Sequence, residues 1–165
     1  MIGRRAALAA GLAFAGLAFV SVRAAHAADT SKPQPELPKE KVTIVTKAGV
    51  RHDFDIEMAL TPDQQEVGEM FRPSVPEKGG MLFDWGAERP SQMWMKNTLA
   101  SLDMVFINAD GTIRSIAEHT VPRSLAVIDS RGPVRATLEL AAGTTAKLDI
   151  KVGDRVEHRL FTAKP

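Results

Sequence analysis

The sequence predicts a mainly β, single-domain protein: an antiparallel β-sandwich or a partly open barrel with one or two short helices. Two observations carry this prediction. Apolar and polar residues alternate with a period of two over most of the chain after residue 40, as they do in half-buried strands. The connections between these runs are too short to favour a parallel βαβ fold. A chain of 165 residues, 44% hydrophobic and 25% charged, also has the composition of one globular domain.

The first 27 residues are predicted to be a signal peptide. Arg4 and Arg5 precede an uncharged apolar run from Ala6 to Val20, which is shorter than the ~20 residues of a membrane-spanning helix. Ala25-His26-Ala27 then provides small residues at the positions read by a signal peptidase, so cleavage is expected before Ala28. We therefore expect a periplasmic or secreted protein with no integral membrane span after cleavage. The arginine pair leaves twin-arginine export open beside ordinary secretion.

Residues 28–40 are predicted to form a disordered linker, and residues 41–165 the β-rich domain. The linker contains three prolines and one large aliphatic residue, Leu37, so it has little apolar surface to bury. In the domain, strands are predicted near 42–44, 54–60, 104–107, 112–117, 134–140 and 155–162. Asn108 to Gly111 is predicted to form a hairpin turn.

Two short helices are predicted between these strands. Thr61 is followed by Pro62 and Gln64, the residues of an N-cap, a first-turn proline and a capping box, and this helix is expected to reach about Met70. A second helix of one turn is expected over residues 144–148.

Composition excludes several function classes. The chain has no cysteine, which excludes disulfides, zinc–thiolate sites and cysteine nucleophiles. Its 21 basic and 20 acidic residues give no general electrostatic case for nucleic-acid binding. We expect no metal and no cofactor, because Asp53, Asp55 and Glu57 alternate like a solvated strand face. The histidines of the mature chain are isolated and expected at the surface: His52, His119 and His158.

The segment from Gln92 to Thr98 concentrates side chains that can bind a ligand. If it is extended, Met93 and Met95 face one way, while Trp94 and Lys96 face the other. An indole beside an ammonium group can stack on a sugar-like ligand and contact its polar edge. Alternatively, Trp94 fills the core and Asn97 caps a turn.

The same segment resembles a known family. Met93 to Thr98, followed by Leu102-Asp103, is similar to the F-W-M-K-N-T…P-L-D signature of the domain of unknown function 192 family. Further similarities lie at residues 68–72, 80–83, 138–143 and 153–156. The sequence departs from the family pattern at Glu69, Met93 and Ser101, where leucine, phenylalanine and proline are usual. The resemblance implies a compact, often exported β-rich domain, and it implies no particular reaction.

Several polar residues in these motifs are candidate site residues. Those predicted to bind a ligand are Arg72, Trp94, Lys96, Asn97 and Thr98. Asp103 and Glu139 are weak candidates for catalysis by an acid and a base. Alternatively, Arg72 forms a structural ion pair with Asp103 or Glu139, and Glu139 lies on the solvated face of its strand.

Three functions are therefore open. The first is a small exported binding or accessory module whose polar and aromatic pocket accepts a carbohydrate-like or anionic ligand. The second is a hydrolase of an envelope polymer that uses Asp103 and Glu139. The third is a protein-interaction module with an envelope protein as partner, which would bind through the apolar loop segment 125–128.

Overall fold

The computed structural model describes residues 28–161, so the predicted signal peptide lies outside the described residues. The elements are strands β1 Lys39–Val45, β2 Arg51–Ala59, β3 Met81–Met93, β4 Leu102–Ile107, β5 Ile113–Ala117, β6 Ile128–Ala141 and β7 Arg155–Glu157, and helices α1 Pro62–Val67 and α2 Thr144–Lys147. A 3-10 turn, Arg159–Phe161, follows β7. The predicted mainly β, single-domain architecture is confirmed. No helix within residues 28–161 is long and apolar enough to span a bilayer.

All seven strands belong to one sheet, in the order β5-β4-β6-β3-β2-β1-β7. Its two edges meet where Thr112, before β5, bridges Arg155 of β7, so the sheet is nearly closed into a barrel. Neighbouring strands are antiparallel except for β2 and β3, which are parallel and are connected through α1. The sequence analysis did not anticipate this parallel pair. Residues 60–80 are long enough to carry the chain back across the sheet.

The barrel interior is the main hydrophobic core. It is filled from alternate positions of the strands, including Ile44, Ile56, Leu82, Val105 and Leu138, each of which has no measurable exposure to solvent. This is the period-two pattern on which the strand predictions were based.

Helix α1 begins as its sequence predicts. The Thr61 side chain accepts a hydrogen bond from the Gln64 N–H, and the Gln64 side chain accepts one from the Thr61 N–H. The helix ends at Val67, three residues before the predicted end, because Gly68 turns away with φ of +50°. Gly68 lies against the Phe83 ring, where an added Cβ would stand 3.0 Å from a ring carbon. This contact brings the end of α1 onto the outer face of the sheet.

The predicted linker contacts the domain in the structure. Leu37 is buried, its N–H donates to Glu57, and β1 begins at Lys39, two residues before the predicted boundary. The Gln34 amide donates to the Gln64 and Gly68 carbonyls at the end of α1. Residues 28–38 thus cover part of the outer face together with the segment that contains α1.

Strand β3 was not predicted, and β6 begins earlier than expected. Segment 125–128 was predicted to lie in a loop and the strand to begin near residue 134, but β6 begins at Ile128 and pairs with the end of β3. Gly86 and Pro90 interrupt the alternation of β3, and the pairing register shifts near both residues. Because glycine and proline weaken a strand signal, the longest strand pair of the fold was partly hidden in the sequence.

Candidate functional site

A cleft of about 480 Å³ lies on the outer face of the sheet. Phe83 and Trp85 of β3 and Glu139 of β6 line it from the sheet. One wall is residues 65–70, the end of α1 and the turn after it, and the opposite wall runs from Arg89 through the end of β3 to Thr98. The cleft therefore lies where the sheet is covered by segments distant in the sequence.

Trp94 faces this cleft. The chain leaves β3 at Met93, and the alternation continues, so that Met95 is fully buried while Trp94 is 46% exposed. Met95 packs with Met104 and the other residues of the smaller core beneath it. The Lys96 ammonium nitrogen lies 5.0 Å from the centroid of the Trp94 ring. The interpretation of Trp94 as a core residue is wrong, and the predicted pairing of the ring with Lys96 is confirmed.

A second aromatic residue, Trp85, and a second cation, Arg89, also line the cleft. The Trp85 ring stacks on Phe83, with centroids 5.8 Å apart, and its indole N–H donates to the Thr137 hydroxyl. The Arg89 guanidinium carbon lies 4.4 Å from the centroid of the Trp85 ring. Sequence reasoning missed this pair. The spacing of Phe83 and Trp85, two residues apart in a run after Gly80, was the available signal for a strand face.

Glu139 is buried in the cleft floor. It lies in the middle of the sheet, paired with Met81 of β3 on one side and Met104 of β4 on the other, and is only 4% exposed. Burial, with a smaller contribution from Glu69, raises the pKa of Glu139 well above its ordinary value. The prediction that Glu139 is solvated is therefore wrong. Its strand alternates as predicted, but the segments that cover the outer face of the sheet leave this polar position largely buried.

Glu69 is the second carboxyl group of the floor. It follows Gly68 at the end of α1 and is 4% exposed. Burial raises the pKa of Glu69 to about 7, and the neighbouring Glu57 contributes to this increase, while Arg72 opposes it. The sequence analysis noted Glu69 as a departure from the family pattern and did not include it among the site residues.

Arg72 forms a buried ion pair, but with other partners than predicted. Its two terminal nitrogens donate to the two carboxylate oxygens of Glu57 at 2.6 and 2.9 Å. A third contact, 3.3 Å long, joins Arg72 Nη1 to Glu69 Oε2. Burial opposes ionisation of Glu57, but the bonds from Arg72 and the Leu37 N–H outweigh it and lower the pKa of Glu57. Arg72 lies beside an adjacent cavity that shares Glu69 with the cleft.

Asp103 lies away from the cleft and has a structural role. One carboxylate oxygen accepts a hydrogen bond from the His119 N–H, and the other accepts two from the N–H and hydroxyl of Thr145. Since Met104 pairs with Glu139 and successive residues of a strand point to opposite faces, Asp103 and Glu139 point to opposite faces of the sheet. The structure does not bring this predicted catalytic pair together.

Thr98 and Asn97 differ in their positions. Thr98 is buried, lines the cleft, and donates its hydroxyl to the Lys96 carbonyl. Asn97 has φ of +56°, does not line the cleft, and donates its side-chain amide to the Thr30 carbonyl. Of the residues predicted to bind a ligand, Trp94, Lys96 and Thr98 therefore share the cleft, whereas Arg72 and Asn97 support its walls.

The remaining acidic and imidazole side chains have separate surroundings. Asp53 and Asp55 are exposed, as expected of a solvated strand face, whereas Glu57 is buried beneath Leu37 and Arg72. Within residues 28–161 no group of three or more histidine, aspartate or glutamate side chains is arranged to hold a metal ion. His158 was expected at the surface, but it is 7% exposed and its Nε2 lies 2.9 Å from a Glu40 carboxylate oxygen.

With this geometry in view, comparison with known proteins places the chain in a family. The model of the domain of unknown function 192 family, DUF192, described as "Uncharacterized ACR", matches residues 43–158. The chain belongs to this family. No curated protein matches it.

Two solved structures of similar proteins share the fold. A protein from Sinorhizobium meliloti, named as a candidate transcription regulator, is 50% identical with a TM-score of 0.73, and the match covers 75% of this chain and 96% of that one. A Novosphingobium aromaticivorans protein of unknown function is 36% identical with a TM-score of 0.71, covering 74% of this chain and 86% of that one. These two relatives support the β-rich fold and assign no reaction.

Proposed function

We propose that this DUF192 protein is a small exported binding module whose cleft holds a carbohydrate-like ligand. The observation that carries the proposal is that Trp94, almost half exposed, shares one cleft with a second tryptophan and with buried carboxyl groups. The proposal that the protein is exported rests on the sequence pattern of residues 1–27.

The cleft combines the two kinds of contact that a sugar needs. Trp94 offers a flat, exposed apolar surface on which the C–H face of a sugar ring can stack, and Trp85 adds apolar surface to the same cleft. Lys96 donates hydrogen bonds, and a carboxyl group such as Glu139 accepts them from hydroxyl groups or, when protonated, also donates one. Binding sites for small molecules are commonly apolar clefts with a few polar groups that orient the ligand.

The position of the charges favours a sugar over an anion. Arg89 is exposed and Lys96 half-buried, and each lies against a tryptophan ring near the mouth of the cleft. Glu69 and Glu139 are buried in its floor. An anion that enters to the floor would face two carboxyl groups, so negative charge is disfavoured there.

The test uses the tryptophans themselves. The chain contains two, and both line the cleft, so their fluorescence reports on its occupancy. We expect saccharides to change the emission on titration and inorganic phosphate to leave it unchanged. Calorimetry should show that Trp94→Ala weakens saccharide binding by about tenfold, equivalent to about 1.4 kcal/mol. Leu60→Ala is the matched control, because Leu60 is 49% exposed and lies outside the cleft. Absence of any saccharide response, or equal losses in the two variants, would contradict the proposal.

An interaction module is a second candidate, favoured by one observation. Val121, Leu125 and Val127 are each more than 60% exposed in one loop before β6. Such apolar exposure can mark a docking surface for a protein. If it does, Leu125→Ser with Val127→Ser should reduce the partners captured from periplasmic extract, while Leu60→Ser should not. An identical set of partners for all three proteins would exclude this role.

The structure does not favour a function in transcription regulation, which the name of the Sinorhizobium relative suggests for that protein. The α-helices within residues 28–161 have six and four residues, and they do not form the helix-turn-helix arrangement that places a recognition helix in the major groove.

A further inference from the structure

The buried polar cluster around the cleft contains more acidic groups than cations. Glu57, Glu69 and Glu139 are each at most 6% exposed, and Arg72 is the basic side chain that reaches them. A buried carboxylate without a counter-ion is costly, so such a cluster either retains protons or acquires a cation.

Arg72 is largely occupied by one of the three. Its paired hydrogen bonds go to Glu57, which also receives the Leu37 N–H. Glu69 Oε2 is near Arg72, but it is buried and accepts no hydrogen bond from any described residue. The Glu139 carboxyl group likewise has no hydrogen-bond partner within residues 28–161. Glu139 therefore has no partner in the cleft, and Glu69 has only the 3.3 Å contact with an arginine that is already bonded to Glu57.

Burial is the main cause of the raised pKa of both groups, and Arg72 does not offset it. Glu69 interacts with Arg72, Glu57 and Glu139, and the pKa values of both Glu69 and Glu139 are raised. The other charged groups of the cleft are Glu66, Arg89 and Lys96. Arg89 and Glu66 are exposed, and Lys96 is near Trp94, so they lie towards the mouth of the cleft.

We infer that the ligand carries an ammonium group that binds between Glu69 and Glu139, which makes it an amino sugar if the proposed carbohydrate function is correct. An ammonium group provides three hydrogen-bond donors and one positive charge. The surroundings of the two carboxyl groups supply too few of either. The sugar ring would then stack on Trp94 above them. An N-acetylated or neutral sugar would not provide this charge.

The test compares three probes by calorimetry: glucosamine, glucose and N-acetylglucosamine. Glucosamine is expected to bind about tenfold or more tightly than the other two, as a charge-assisted hydrogen bond implies. Because the ammonium group displaces protons from the carboxyl pair, its affinity should be higher at pH 7.0 than at pH 5.5, with proton release. Glucose affinity should change little over the same range.

The variants identify the residues responsible. Glu69→Gln should remove the preference for glucosamine while glucose binding remains. Glu139→Gln should also remove the preference, whatever its effect on glucose, and Glu66→Gln at the exposed mouth should retain it. If Glu139→Gln does not fold, Glu69→Gln alone decides the result. Equal binding of all three sugars, or a preference that survives Glu69→Gln, would overturn the inference and leave the proposed sugar binding intact. Failure of all three sugars to bind would overturn both.

Discussion

Replacing Glu69 by glutamine is expected to change how the stability of the protein depends on pH. Glu69 has an ordinary pKa of 4.5, which burial raises to about 7 in the folded protein. Between these values the folded protein holds this proton more tightly than the unfolded chain does. The free energy of unfolding therefore decreases as the pH rises from 4.5 through 7. The shift corresponds to a loss of about 3 kcal/mol at pH 8, at about 1.4 kcal/mol for each pH unit. Solvent screening is small, because Glu69 is 4% exposed.

Urea-induced unfolding, followed by tryptophan fluorescence between pH 4 and pH 8.5, measures this effect. Relative to the wild type, the free energy of unfolding of Glu69→Gln should increase by about 3 kcal/mol between pH 4 and pH 8. Glu139 adds to that increase, because Glu69 contributes to its raised pKa. Glu66→Gln is the control, since Glu66 lies three residues earlier in α1 and is exposed. If the Glu69→Gln and wild-type curves remain parallel over this range, the reasoning about the buried carboxyl group is refuted.

Three further predictions concern the framework of the cleft, and denaturant unfolding at pH 7 measures each of them. Arg72→Ala should destabilise the fold by about 3–5 kcal/mol, because it leaves Glu57 buried without its partner; a loss below 1 kcal/mol would contradict this. Gly80→Ala should cost about 2 kcal/mol or more, since φ is +151° and the new Cβ would stand 2.2 Å from the Glu139 carbonyl oxygen; a neutral effect would mean that the strand can shift. Thr61→Ala should cost about 1 kcal/mol by removing the capping box, and Thr61→Ser should restore most of this stability.

Much of the fold could be predicted because its signals are local. The alternation of Phe54, Ile56 and Met58 shows which side of β2 enters the barrel, whatever the rest of the chain does. The capping box at Thr61 is formed by residues three positions apart, so its residue types alone identify the helix start. Strand β3 lacked such a signal, because Gly86 and Pro90 interrupt its alternation and its pairing partner is β6, far away in sequence.

The site was predicted in part for the same reason. The position of Trp94 beside Lys96, with Met95 on the buried side, follows from alternation within one short segment. The partners of Arg72 did not follow, because Glu57 lies on β2, and the choice among several acidic residues depends on the path of residues 60–80 across the sheet. Trp85 and Arg89 were missed along with the strand that carries them.

The sequence by itself determined the β-rich class, the start of α1, the placement of Trp94 on the same side as Lys96 and the family. Tertiary structure decided which carboxyl groups lose water. Asp53, Glu57 and Glu139 occupy similar polar positions in alternating strands, yet Asp53 is exposed and the two glutamates are buried. The difference arises because the predicted linker and the turn after α1 cover the sheet at the glutamates. Exposure to solvent depends on all the segments that surround a group, and these segments come from distant parts of the chain.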